Sequence, residues 1–274
     1  MKLLEGKAAV VTGSGRGIGR SVAKLFARHG AAVVVNDLDA SVVEEVLAEI
    51  RAEDGHAVGC AGSVTHKEFP DRLIGTVLDN FGRLDVIVNN AGYTWDSVIH
   101  KMTDEQWYAI VDVHLTAPFR IIRAASPYLR EAAKSEAAAG KRVHRKIINV
   151  SSISGITGNA GQANYSAAKM GVVGLTKTMA REWGRFSINV NAVAYGFIET
   201  RLVEAKEKGL QIDVEGRKIA IGIPKETMEA FKTAIPLCRL GSPDEAAGPV
   251  LFLASPLSDF VTGDVLLVTG GGYM

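Results

Sequence analysis

The chain carries, at residues 12–19, the glycine-rich run Thr12-Gly13-Ser14-Gly15-Arg16-Gly17-Ile18-Gly19. An apolar run at residues 8–12 leads into it, and a stretch with helical spacing follows at residues 21–29. Glycines between a strand and a helix let the backbone approach a pyrophosphate, whose charge then faces the positive end of the helix dipole. The spacing is T-G-x-x-x-G-x-G, and it predicts a dinucleotide-binding turn.

Short apolar runs alternate with amphipathic stretches along the rest of the chain. Strands are predicted at residues 8–12, 32–35, 56–60, 84–89, 146–151, 187–193 and 265–268. Helices are predicted at residues 21–29, 41–52, 67–81, from 105 onward, 162–183 and 242–254. Strands that alternate with helices are joined by right-handed crossovers and must be parallel. The pattern predicts one α/β domain over residues 1–274, with a doubly wound parallel sheet of about seven strands.

The composition excludes several classes of protein. Apolar residues make up 47% of the 274 positions, and the formal net charge is only +1. A nearly neutral chain has no strong field that would attract nucleic acid or an anionic membrane. No apolar run reaches the roughly 20 residues that span a bilayer, and the start of the chain lacks the layout of a signal peptide. We therefore expect a cytoplasmic protein that binds neither nucleic acid nor membrane, with no metal site.

One segment interrupts the alternation of strands and helices. Residues 200–235, which we call the lid segment, mix charged residues with regularly recurring apolar ones. An excursion of this length inside a compact domain is usually functional. We predict a helical lid over a substrate pocket.

Asp37 ends the second predicted strand, 20 residues after Gly17. An acid at this position accepts hydrogen bonds from the adenosine ribose and repels a 2′-phosphate, which favours NAD over NADP. Arg16 favours NADP instead, because an arginine in the glycine run can pair with that phosphate. NAD is the predicted cofactor, and NADP stays possible.

Tyr165 and Lys169 are four residues apart on a predicted helix, and therefore share one face. A neighbouring ammonium favours the phenolate, so we expect the pKa of Tyr165 to be lowered. The phenol can then exchange a proton with a carbonyl or alcohol oxygen while a hydride moves. Ser152, at the end of the fifth predicted strand, can donate a second hydrogen bond to the same substrate oxygen.

With these residues in place, the sequence resembles the short-chain dehydrogenase/reductase family over almost its whole length. The matching pieces are residues 12–19, Asn89-Asn90-Ala91-Gly92, Ser152, Tyr165-Ser166-Ala167-Ala168-Lys169, residues 191–200 and the run from Arg239-Leu240-Gly241 to Gly270-Gly271. Residues 158–165, Gly-Asn-Ala-Gly-Gln-Ala-Asn-Tyr, especially resemble bacterial 3-oxoacyl-(acyl carrier protein) reductases.

The resemblance implies a Rossmann-type fold and further cofactor contacts. It implies that residues 90–92 line the adenosine side and that Ile198 and Thr200 hold the nicotinamide carboxamide. It also implies a homotetramer built on two long helices, near residues 107–129 and 162–183. Together with the glycine run, it gives as candidate cofactor-binding residues Gly13, Ser14, Arg16, Gly17, Ile18, Gly19, Asp37, Leu38, Ser63, Val64, Asn90, Ala91, Gly92, Tyr165, Lys169, Ile198 and Thr200.

Four positions depart from the family pattern. His114 stands where the family usually has an asparagine that supports a proton relay to the lysine. Histidine can hydrogen-bond and titrates near neutrality, so His114 is a fourth candidate catalytic residue, and simple packing in the helix is the alternative. Ser63 replaces an aspartate, Thr269 replaces another, and Tyr195 replaces a proline beside the nicotinamide, where it can form a wall of the substrate pocket.

The sequence predicts an NAD(H)-dependent oxidoreductase that interconverts a secondary alcohol and a ketone. The first substrate hypothesis is a 3-oxoacyl/3-hydroxyacyl thioester. The long lid segment keeps other alcohols open as alternatives, among them steroids, polyols and cyclic alcohols. A protein that binds nucleotide without catalysis is a third hypothesis, which the intact Ser152, Tyr165 and Lys169 oppose.

Overall fold

The computed structural model describes residues 2–272, except for the side chain of Lys206. Its strands are β1 (Ala8–Val11), β2 (Ala32–Val35), β3 (His56–Gly59), β4 (Val86–Asn89), β5 (Arg145–Ser152), β6 (Ile188–Tyr195), β7 (Gln211–Val214), β8 (Arg217–Ala220) and β9 (Val265–Val268). Its helices are α1 (Gly17–Arg28), α2 (Ala40–Ala52), α3 (Phe69–Phe81), α4 (Asp104–Val111), α5 (Ala117–Ala138), α6 (Ile153–Thr157), α7 (Ala163–Trp183), α8 (Lys225–Ala234) and α9 (Pro243–Ala254).

Seven of these strands form one parallel sheet in the order β3-β2-β1-β4-β5-β6-β9. The strand order reverses between β1 and β4, which makes the sheet doubly wound and confirms the predicted fold. Ligands of such sheets bind beyond the carboxyl ends of the strands at this reversal. The fold therefore brings the loops after β1, β2, β4, β5 and β6 to one edge.

Both faces of the sheet are covered by helices, and this explains the apolar strands of the sequence. In β1, Ala9 and Val11 belong to a core shared with α1, α2 and α9. Ala8 and Val10 belong to a second core shared with α3, α5 and α7. All four residues are at most 1% exposed, as expected for a central strand between two helical layers.

The lid segment is only partly helical, so the prediction of a helical lid is wrong for its first half. Strands β7 and β8 form an antiparallel hairpin, and α8 follows. The turn residues Glu215 and Gly216 have φ angles of 55° and 83°, which is the positive-φ pair that a two-residue hairpin turn with native twist requires. Apolar residues alternate along both strands, so that one face of the hairpin is buried.

The long helix predicted from residue 105 is interrupted. Thr103 caps α4 in a capping box with Gln106. A π-helical turn, Asp112–Thr116, then separates α4 from α5 and carries His114. Such turns are inserted where a side chain must be re-aimed, often at a functional site. Among the helices described within residues 2–272, none is long and apolar enough to cross a membrane.

Candidate active site

The glycine run forms a tight turn that β1 delivers to the reversal point of the sheet. A Cβ atom on Gly19 would lie 2.2 Å from the carbonyl oxygen of Gly13 and 2.5 Å from Nδ2 of Asn90, so only glycine fits there. Asn90 donates to the carbonyls of Thr12 and Gly13 at 2.9 and 3.0 Å. The turn is therefore held in a shape that brings backbone N–H groups to the mouth of the cleft.

Asn36 is a second support of this turn, and the sequence analysis missed it. Its Oδ1 accepts from the amide of Gly13 at 3.2 Å, and its Nδ2 donates to the carbonyls of Cys60 and Gly62 at 2.9 and 3.0 Å. The side chain thereby joins the loops after β1 and β3. A polar residue at the end of an otherwise apolar strand, Ala32–Val35, is the signal that could have identified it.

The predicted cofactor residues surround one cleft of about 810 Å³, with the exception of Ser14. Ser14 is fully buried beneath the turn, where its hydroxyl donates to the carbonyl of Val11 at 2.7 Å. Its place is therefore structural. Leu38 lies at the rim of the cleft and is 44% exposed, whereas Ile198 is buried and pairs with Gly241 in an isolated bridge.

Asp37 lies at the end of β2 and faces this cleft. Its Oδ2 accepts from the amide of Gly15 at 3.1 Å, and its Oδ1 accepts from the amide of Leu38 at 2.8 Å. Two guanidinium groups are close by. The pKa of Arg201 is lowered mainly by burial and further by Arg16, while Asp37 acts in the opposite direction. Asp37, Arg16 and Arg201 thus all line the same cleft.

Tyr165, Lys169 and Ser152 meet where β5 and α7 adjoin the cleft. The Tyr165 hydroxyl and the Ser152 side chain both line the cleft, and Ser152 is near enough to act on the pKa of the tyrosine. Lys169 lies one turn further along α7, with Nζ 5.5 Å from the centre of the Tyr165 ring. The ammonium donates to the carbonyl of Val150 at 2.6 Å, which anchors it to β5. The structure therefore brings the three predicted catalytic side chains together.

The electrostatics of this group differ from the expectation. The pKa of Tyr165 is raised to about 12, mainly because the hydroxyl has lost contact with water, although Ser152 acts to lower it. Burial lowers the pKa of Lys169 to about 7. The predicted lowering of the Tyr165 pKa is therefore wrong for this structure, since the loss of water raises this pKa more than Ser152 lowers it.

His114 is brought into the same group by the π-helical turn. Its Nε2 lies 2.7 Å from the carbonyl oxygen of Tyr93, so Nε2 carries the proton and donates it. Its Nδ1 is buried without a hydrogen-bond partner among the described residues. The ring also occupies the space that a side chain at position 92 would need, because a Cβ on Gly92 would lie 2.0 Å from Cε1 of His114.

The imidazole does not titrate near neutrality, contrary to the expectation for histidine. Burial lowers the pKa of His114 well below its ordinary value, and the charge of Lys169 lowers it further. The neutral ring offers one donor and one acceptor at fixed positions. A role of His114 in a proton relay to Lys169 therefore depends on a hydrogen bond that its Nδ1 accepts.

The far side of the cleft is lined by the lid segment and by the loop after β4. The rings of Phe197 and Phe231 stack with centroids 4.1 Å apart, which joins the end of β6 to α8. Apolar residues of the hairpin, among them Ile219, pack against Tyr93 and Trp95. Tyr195 borders the cleft, but its hydroxyl donates to the carbonyl of Ala246 at 2.7 Å, which orients the polar end toward α9.

Within residues 2–272 there is no group of three or more histidine, cysteine, aspartate or glutamate side chains that could hold a metal ion.

Comparison with known proteins agrees with this geometry. The family described as short chain dehydrogenase matches residues 7–211. The chain belongs to this family. Among its relatives, the 3-oxoacyl-[acyl-carrier-protein] reductase of Synechocystis is 40% identical, and the alignment covers all of both chains. Reductases with the same description from Vibrio cholerae and Thermotoga maritima are 39% and 37% identical, over 99% and 98% of both chains.

Family membership makes the protein an oxidoreductase that uses a nicotinamide cofactor and acts on CH–OH or keto groups. This short-chain dehydrogenase carries the dinucleotide turn and the Ser152–Tyr165 pair in a single cleft. The matched region ends at residue 211, so β8 and α8 of the lid segment lie beyond it.

Proposed function

We propose that this short-chain dehydrogenase is an NAD(H)-dependent reductase that interconverts 3-oxoacyl and 3-hydroxyacyl thioesters. The observation that carries the proposal is that Tyr165, Lys169 and Ser152 line the same cleft as the glycine turn. The relatives named above as 3-oxoacyl-[acyl-carrier-protein] reductases support the choice of substrate.

The cofactor fits the residues present, because Gly13, Gly17 and Gly19 line the cleft without side chains and let the backbone approach a pyrophosphate. When bound, the nicotinamide supplies the hydride. Tyr165 donates its hydroxyl proton to the carbonyl oxygen of the substrate, while Ser152 donates a hydrogen bond to the same oxygen. The protonated form of Lys169, held on β5, places a positive charge beside the phenolate that Tyr165 becomes when it gives up its proton.

The substrate end of the cleft favours a thioester over a free oxo acid. The charge of Asp96 is near enough to the tyrosine to contribute to its raised pKa. A substrate carboxylate close to the reacting carbon would therefore be repelled. The stacked rings of Phe197 and Phe231 offer an apolar surface for an acyl chain.

The proposed preference for NAD rests on Asp37. Asp37 lies just after the end of β2, and its carboxylate faces the cleft, where it would repel a 2′-phosphate. The two arginines nearby, Arg16 and Arg201, are the reason to test the opposite preference directly.

We also propose a single-domain homotetramer in the cytoplasm, as the family resemblance implies. Large apolar side chains on the predicted subunit helices are exposed in the monomer, including Tyr108 (64%), Phe119 (44%) and Met170 (46%). Light scattering after size exclusion tests this assembly, and a monomer at micromolar concentration would contradict it.

Turnover of an acyl thioester decides the proposed function. The wild type should oxidise NADH in the presence of acetoacetyl-CoA, and Tyr165→Phe should lose about 10²–10⁴-fold in turnover while it still binds NADH. Steroid, polyol and cyclic ketones serve as the comparison panel. Activity on these ketones alone would overturn the thioester proposal, and an unchanged Tyr165→Phe variant would overturn the catalytic assignment.

A further inference from the structure

Asn164 precedes the catalytic tyrosine in α7 and is completely buried. Its Nδ2 donates to the carbonyl of Trp95 at 3.1 Å and to the carbonyl of Gln106 at 3.0 Å. Its Oδ1 accepts from the amide of Tyr165 at 2.8 Å. Both protons of the side-chain amide are therefore used, and each bond reaches a different element.

The acceptor end of Asn164 completes the start of α7. The first four N–H groups of a helix have no partner within the helix, and here the residue before the helix, Gln162, provides no side-chain cap. Asn164 fills this role from inside the first turn, for the amide of the catalytic residue itself. The backbone position of Tyr165 is thus fixed by its neighbour.

The donor end of Asn164 joins α7 to two walls of the cleft. Trp95 lies in the loop after β4, and Gln106 lies in the first turn of α4. Two further bonds connect the same loop to the approach to α7: Ser97 N–H donates to the carbonyl of Gly161 at 2.9 Å, and Nε2 of Gln162 donates to Asp96 at 2.9 Å. Of these connections, only Asn164 is fully buried and contacts all three elements.

We propose that Asn164 is a positioning residue for the reaction, which acts through Tyr165 by setting the start of α7 against the loop after β4 and α4. The inference rests on the proposed role of Tyr165 as proton donor. A displacement of a reacting group by about 1 Å can cost about 10²-fold in rate. Loss of the hydrogen bonds of Asn164 should therefore reduce turnover far more than the binding of substrate or cofactor.

The chain contains a matched control for this test. Asn189 is also buried, and its Nδ2 also donates to two backbone carbonyls, those of Asp259 and Val261, at 3.0 and 2.9 Å. It lies in β6 near the end of the sheet opposite the cleft. Removal of either asparagine takes away two hydrogen bonds to backbone carbonyls, although the carbonyl of Val261 keeps a bond from Asn191. Of the two asparagines, only Asn164 contacts the catalytic tyrosine.

The experiment compares Asn164→Ala with Asn189→Ala, on the ketone that the wild type reduces fastest. We expect Asn164→Ala to lower kcat about 10–100-fold, to change KM and the Kd of NADH less than about threefold, and to shift the pH profile of kcat. Asn189→Ala should lose a similar amount of thermal stability while its kcat and pH profile stay near those of the wild type. Equal losses of kcat in the two variants would overturn the proposal.

Two additions keep the outcome decisive. If Asn164→Ala does not fold, the comparison uses Asn164→Ser and Asn189→Ser, since serine retains one donor and should give an intermediate loss. Because the ketone is chosen by the activity of the wild type, failure of every thioester would overturn the proposed substrate and leave the comparison of the two asparagines intact. The Tyr165 amide should exchange its hydrogen faster in the position 164 variants, whatever the substrate. Unchanged exchange would contradict the proposed hydrogen bond from this amide to Asn164.

Discussion

The imidazole of His114 stands edge-on against the ring of Tyr165, with the ring centroids 4.9 Å apart and the planes at 89°. The contact places an acceptor, Nδ1, in the catalytic group, while Nε2 is occupied by the carbonyl of Tyr93. Since the ring is neutral at working pH, it can direct hydrogen bonds but cannot store a proton.

The first prediction separates packing from hydrogen bonding at position 114. His114→Phe keeps a ring but removes Nδ1, and it should lower kcat by about tenfold or more, whereas His114→Asn should retain turnover within a few-fold because its amide can still hydrogen-bond. NADH affinity, measured by protein fluorescence, should change little in both. Full activity of His114→Phe would show that the histidine only fills space.

The second prediction concerns the stability cost of burying Lys169. Its pKa is about 7 in the folded protein and near 10.5 when the chain is unfolded, so the unfolded state binds more protons between these values. The free energy of unfolding should therefore gain from this group as the pH rises from about 7 to about 10, with a slope of at most about 1.4 kcal/mol per pH unit.

Urea titrations of cofactor-free protein measure this slope. Lys169→Met should reduce it, because the buried group no longer titrates. Lys177→Met, which removes an exposed lysine on the same helix, is the control and should leave the slope unchanged. Identical slopes in wild type and Lys169→Met would refute the lowered pKa.

The third prediction tests cofactor choice. Asp37→Asn removes the charge that repels a 2′-phosphate, and it should raise kcat/KM for NADPH relative to NADH about tenfold. Asp79→Asn is the control, since this exposed acid lies on α3, outside the residues that line the cleft. A wild-type preference for NADPH, abolished by Arg16→Ala, would show that the arginines outweigh Asp37.

The fourth prediction identifies what holds the hairpin of the lid segment closed. Two polar contacts lie at its tip: the ring of His66 lies 3.1 Å from the carboxylate of Glu215, and Glu105 and Arg217 form an ion pair at 2.9 Å. All four side chains are at least one-third exposed, so each pair is worth only about 0–1 kcal/mol. Truncation of a buried isoleucine costs about 2–5 kcal/mol.

We therefore expect Ile219→Ala, at a position 2% exposed, to open the hairpin far more than Glu215→Gln. Limited trypsin digestion reports the opening, because Arg217 and Lys218 lie just after the turn. Rapid cleavage of Glu215→Gln, with Ile219→Ala resistant, would reverse the assignment.

The alternation of apolar runs and helices was sufficient to predict the sheet. The strands at residues 32–35 and 265–268 have the predicted bounds. The first is largely buried and leaves a continuous apolar signature, and the second keeps that signature although it is only half-buried at the edge of the sheet. The catalytic group was also predictable, since Tyr165 and Lys169 have the spacing of one helical turn.

The remaining features depend on contacts that a linear pattern does not contain. The hairpin had a local sequence signal, because Glu215-Gly216 lies between alternating apolar residues. The charged residues of the same stretch made this alternation hard to recognise. The π-helical turn, the bonds of Asn164 and the raised pKa of Tyr165 arise from neighbours brought together by folding. Burial, which no spacing reveals, reversed the expected direction of that pKa.

Gly92 and His114 are in such close contact that substitutions at the two positions should be linked during evolution. Any side chain at position 92 would enter the volume of the imidazole, so substitution there alone should be incompatible with the present packing. Position 114 has to become smaller first. The substitution at position 114 should therefore precede the one at position 92 during evolution. The intermediate sequence would then contain a cavity beside Gly92, and no steric clash.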